Sequence, residues 1–163
     1  MSASSLIAQI KNKASGTIAT AEAVKEAEQA IGYNFPSLLR DIYLQVANGG
    51  IGPGLHILGV KGGYLSEEGD SISDLYDYLK QDDPIDPLWI WPKEVVPFCQ
   101  WGDAVYSCFY AEKPNNPVVW FDPNAREIGE PMNQQFISHR DSLESWLQGW
   151  VNGEDLRAET HGA

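Results

Sequence analysis

Basic residues are scarce in this chain, cysteines scarcer still, and long apolar runs are missing. Eleven Lys and Arg stand against 23 Asp and Glu, a net charge of −12 over 163 residues. A surface of that sign repels phosphate backbones, so direct nucleic-acid binding is not expected. Cys99 and Cys108 lie nine positions apart, which matches no zinc-ligand spacing. They read as buried free thiols in a reducing compartment, with a disulfide or a reactive thiol as the alternative. No apolar stretch approaches the roughly 18–20 residues of a membrane span. The first residues lack a basic segment followed by an apolar one, so no secretory signal is read and a cytoplasmic location is expected. His56, His139 and His161 fall in no HExxH or HxH spacing, and no GxSxG, Walker A or GxGxxG pattern occurs. No metal and no cofactor is expected from these residues. Gly59-Val60-Lys61-Gly62-Gly63 reads as a turn, because it lacks the strand-to-helix context that cradles phosphate.

What is present is strongly patterned. In residues 34–54, NFPSLLRDIYLQVANGGIGPG, Pro36 suits a first helical turn. Leu38, Leu39, Ile42, Tyr43 and Val46 then line one helical face, and Asn48-Gly49-Gly50 stops it. Upstream, Leu6, Ile7 and Ile10 suit an amphipathic helix over 3–13. Thr20 caps a second helix with Glu22 in its first turn, Val24, Ala27 and Ile31 on its apolar side, and Gly32 at its end. This second helix and the one opened by Pro36 are expected to form a hairpin. Residues 55–60 read as a strand, and Ser73 or Asp74 as the cap of a short helix through Leu79. The stretch 83–92 has three prolines and two tryptophans and reads as an ordered loop. Residues 95–99, 104–110 and 118–121 make a meander of three antiparallel strands. In the second of these, Val105, Ser107 and Phe109 face one side, and Tyr106, Cys108 and Tyr110 the other. A last helix spans 141–151, with Asp141 and Glu144 spaced as a capping box. The order predicts an α+β fold. A mainly antiparallel central sheet carries an N-terminal helical hairpin and a C-terminal helix, in a single domain of residues 1–153 with a polar tail over 154–163.

The charge is concentrated. Between Ser66 and Asp86 lie eight acids and one base, Lys80. Such a surface attracts a basic partner and speeds the encounter, or else is a solvated face that keeps the protein soluble. Among the six tryptophans, Trp120, Trp146 and Trp150 fall on strand or helix faces and read as core. Trp89, Trp91 and Trp101 fall in loops or turns, where aromatics either pack or serve as binding anchors. The candidate partner surface is therefore Glu67, Glu68, Asp70, Asp74 and Asp77, followed by Trp89, Trp91 and Asp103. A catalytic reading would pair His56 or His139 with Asp103 or Asp122. Both acids stand at strand ends, where Asp commonly accepts backbone N–H bonds, so structural roles are the expectation.

Four segments in this order resemble the SUKH superfamily: FPSLLRDIYLQVANGGIGPG, WPKEVVPFCQWGDAVYS, PVVWFDPNA and SLESWLQGW, together covering about residues 30–150. The resemblance implies an α+β domain without catalytic residues. It implies an immunity-type role, in which the protein binds and neutralises a polymorphic or contact-dependent toxin, often a nuclease. The partner would be a protein, a basic toxin domain. Fungal relatives imply the alternative of a regulatory scaffold that binds a host protein; a small hydrolase is the third reading. One departure is Ala104, where the resemblance leads one to expect Gly after Trp-Gly-Asp.

Overall fold

The structure, a computed structural model, describes residues 3–157. Its elements run α1 (Ala3–Lys13), α2 (Ala21–Ile31), α3 (Ser37–Gln45), α4 (Ile72–Lys80), β1 (Val95–Gly102), β2 (Val105–Tyr110), β3 (Val118–Phe121), β4 (Phe136–Arg140) and α5 (Leu143–Val151). The four strands form one antiparallel meander in the order β1-β2-β3-β4. The fold is α+β, as the element order predicts.

The N-terminal helices begin and end where their chemistry says they should. Thr20 Oγ1 accepts from the Ala23 amide at 3.1 Å. Gly32 closes α2 at φ 87°, its N–H returning to the Glu28 carbonyl. After α3, Asn48 does more than stop a helix. Its side-chain oxygen accepts the Val60 amide at 2.8 Å and its NH₂ donates to the Lys61 carbonyl at 3.4 Å, so it brackets the 57–64 loop. Gly49 makes the approach possible: at φ 72° a Cβ there would lie 2.5 Å from the Gly59 nitrogen.

Residues 55–60 are not the regular strand that their composition predicts. They lie along the outer edge of β1, with Leu55 N–H to Gln100 O at 2.9 Å, Gln100 N–H to His56 O at 3.2 Å and Leu58 N–H to Phe98 O at 2.8 Å. His56 adopts φ 81°, which breaks the extended run, and only Ile57 forms a bridge, with Cys99. The meander has a fourth strand, β4, which the sequence pattern did not announce. Two caps sit one to three residues from their predicted positions. Ser71, not Ser73 or Asp74, caps α4, exchanging bonds with Asp74 as a capping box. Ser142, not Asp141, caps α5, accepting from the Ser145 amide at 3.0 Å.

The sheet buries both faces. On one, Phe98 meets Phe109 at 5.7 Å and Trp146 of α5 at 4.9 Å between ring centroids, with Trp120 beneath. On the other, Trp91 covers Phe121 and Phe136, and Tyr106 stacks beside Phe121. Packing continues past the expected boundary at residue 153: Leu156 is buried, and Glu154 pairs with Arg140 at 2.9 Å. Residues 158–163 of the expected tail, with His161, lie outside the described residues.

Candidate functional site: an acidic groove beside α4

Helix α4 buries Ile72, Leu75, Tyr76 and Leu79. The same 3.6-residue period turns Asp74, Asp77 and Tyr78 outward, with Tyr78 64% exposed. The turn before the helix is built on Ser66. Its hydroxyl accepts the Asp70 amide at 3.0 Å, and its carbonyl accepts the Gly69 amide at 2.9 Å. The Glu67 amide donates to the Gln100 side chain at 3.2 Å, which ties the turn to β1. With its backbone so held, the turn presents Glu67 and Glu68 to solvent.

These carboxylates share one electrostatic neighbourhood. The Tyr106 phenol is pushed up to about 12, by burial first and then by Glu68, Cys108, Asp70 and Glu67. The Asp70 carboxyl is raised, by burial first and then by Asp74 and Glu68. Crowded acids resist ionisation, so a cation placed among them is bound against an uncompensated negative field. Seven of the eight acids of the 66–86 segment reach solvent. The eighth, Asp86, does not belong to the surface. It is buried against Arg126, which grips it with two bonds of 2.8 and 2.9 Å. That bidentate pair fastens the 83–92 loop to the loop following β3.

Between the end of α4, the 83–92 loop and the β2–β3 surface lies a groove of about 430 Å³. Tyr78, Trp89, Tyr106 and Phe121 supply its aromatic walls; Asp82 and Asp83 are its carboxylates. Trp89 is held in place by its indole N–H, which donates to the Leu79 carbonyl at 2.8 Å. Ala104 reaches the groove from the tip of the β1–β2 hairpin. That tip is a two-residue turn in which Asp103 (φ 54°) and Ala104 (φ 61°) are both left-handed. Such a turn suits the twist of a hairpin and favours Gly at the second position. The departure at Ala104 therefore leaves the two-residue geometry intact but strained, and Asp103 exposed beside the groove.

The candidate residues thus separate. Glu67, Glu68, Asp70, Asp74 and Asp77 surround α4, and Trp89 and Asp103 adjoin the groove. Trp91 is a correction: it is 5% exposed, its indole N–H donates to the Val95 carbonyl at 2.7 Å, and its ring packs on Phe121 at 4.9 Å. It is core. Tyr78, Asp82, Tyr106 and Phe121 were not singled out from sequence. Asp82 was visible only as part of the acidic run, and Tyr78 as an aromatic on the charged face of a helix. A larger depression of about 730 Å³ separates the N-termini of α3 and α5, but no aromatic side chain lines it.

The residues of a hydrolytic reading are engaged elsewhere. The His56 Nδ1 lies 2.8 Å from the Gly52 carbonyl, and its ring stands edge-on to Tyr64. His139 stands edge-on to Trp120. The Asp122 carboxylate accepts the Asn124 amide at 2.9 Å and caps a short 3₁₀ turn. Both thiols are buried and free, and burial raises both. Among the described residues no cluster of three or more His, Cys, Asp or Glu is placed to hold a metal, and no helix is long and apolar enough to cross a membrane.

A four-stranded meander with helices at both ends and a loop-built acidic groove defines a class: an α+β domain that offers a surface. The profile of the SMI1 / KNR4 family (SUKH-1) matches residues 18–149, and the chain belongs to that family. No curated protein and no solved structure matches it. Membership is consistent with an immunity-type role exercised on a protein partner.

Proposed function

We propose that this is a non-catalytic, cytoplasmic immunity-type protein that neutralises a cognate toxin domain of basic surface, such as a nuclease, by covering it. The observation that carries this reading is the gathering of Glu67, Glu68, Asp70, Asp74 and Asp77 on and beside α4, next to the half-buried Trp89 and the exposed Asp103. A nuclease holds its substrate in a positive groove, and a rigid acidic surface with aromatic anchors can occupy that groove in place of nucleic acid. Carboxylates at the rim act mainly on the rate of encounter.

The test is association kinetics with the product of the toxin gene adjacent to this one. The variant E67Q/E68Q/D74N/D77N is expected to slow association about tenfold at low salt and to flatten its salt dependence. Unchanged, salt-insensitive association would refute steering by this surface. Capture of a host protein in place of a toxin would replace neutralisation with a regulatory scaffold role on the same face.

A further inference from the structure

We infer that the groove beside α4 receives one arginine side chain of the partner. This deepens the proposed function and rests on it.

Three properties select that occupant. The first is size: about 430 Å³ accommodates a long side chain, whereas a helix with its side chains is about 10 Å across. The second is wall chemistry. Tyr78 and Trp89 supply the accessible rings, over a floor of the buried Tyr106 and Phe121, whose rings lie within 5° of parallel at 6.4 Å. Ring faces attract cations, and Asp82 and Asp83 supply the opposite charge. Among the described lining residues none is basic, so the groove's charge is not compensated from within. The chain's own nearby cations are committed: Arg126 grips Asp86, and Lys80 sits over the Tyr76 ring at 4.6 Å. The third is preorganisation. The Trp89 ring is fixed by its bond to Leu79, so little side-chain entropy is lost on docking.

Arginine fits better than lysine. A guanidinium is planar, stacks on rings and meets a carboxylate with two bonds, and it sheds water more readily than an ammonium. A second copy of this chain is a poor occupant, because it brings another net charge of −12.

The experiment follows the Trp89 indole N–H by heteronuclear NMR on the full chain while Ac-Gly-Arg-Gly-NH₂ is added at low salt. The expected result is a saturable shift of that signal, a weaker response to the lysine peptide and none to the norleucine peptide. The variant D82N/D83N, whose spectrum also reports that the fold is intact, should lose the response. An equal response to norleucine, a response unchanged in D82N/D83N, or no shift at all would overturn the inference. The two readings fail separately. A toxin domain that binds D82N/D83N with undiminished affinity sinks the arginine receptacle and leaves occlusion standing. An arginine peptide that docks while no basic toxin domain binds sinks occlusion and leaves the receptacle.

Discussion

The two faces of the sheet are buried by different kinds of chain. One lies under a regular helix, where Trp146 of α5 meets Phe98 and the buried rings of Trp120 and Trp146 are 0% exposed. The other lies under the end of α4 and an irregular loop, where Trp91 and Trp89 cover Phe121 and Phe136 and each indole N–H reaches a main-chain carbonyl. A helix fills the space over a sheet at a fixed repeat and seals it. A loop with prolines cannot seal it evenly, and what it leaves open here is the groove. Under the proposed function, stability and recognition fall to opposite sides of the same strands.

The most disruptive way to probe this contrast is Trp146→Ala, expected to cost about 3–5 kcal/mol in equilibrium denaturation because the helix-covered face cannot collapse into the hole. Trp91→Ala removes a side chain of the same kind from the loop-covered face. It should cost less, about 2–3 kcal/mol, since the loop can settle onto Phe121. Equal losses would show that the loop is as rigid as the helix.

Arg126→Met separates the faces more finely. Asp86 is held below its ordinary 3.8 by the Arg126 hydrogen bonds first, against an opposing effect of burial, and further by the Gly129 amide, the guanidinium charge and the Leu88 amide. A depressed carboxyl stabilises the fold fully above its ordinary value and loses that effect as pH falls through its lower native value. Amide exchange in residues 83–91 should therefore stay protected from neutrality down to about pH 4 and loosen below it. In Arg126→Met those amides should exchange fast at neutral pH, while α5 stays protected. The smallest expected effect is Ala104→Gly, which relieves a left-handed alanine and should raise stability by about 1 kcal/mol. A loss in its place would mean that the alanine methyl packs in the groove more favourably than its backbone is strained.

How much of this was legible follows the same division. The boundaries of α2 were readable because Thr20 and Gly32 have local reasons for their positions. The outward face of α4 was readable because a helical repeat assigns Asp74 and Asp77 to one side. The caps at Ser71 and Ser142 were displaced because several oxygen-bearing residues stand together, and only the folded backbone decides which of them meets the third amide. Strand β4, FISHR, is half exposed and carries little alternation. The segment 55–60 misled because a left-handed His56 leaves no trace in composition. The acids of the candidate site were visible as a run. The groove was not, since Tyr106 and Phe121 join Trp89 across the sheet, and Asp86 finds Arg126 from 40 positions away. The same distance hid the fact that Asp86 is spent on structure.

The burial of Arg126 has a practical consequence. Its side chain is 4% exposed, locked against Asp86, so trypsin cannot seat it while the two loops remain fastened. Cleavage after this residue, timed against cleavage after the exposed Lys11, would act as a clock for the parting of the loops. A ligand that bridges them should slow that clock without touching the scissile bond.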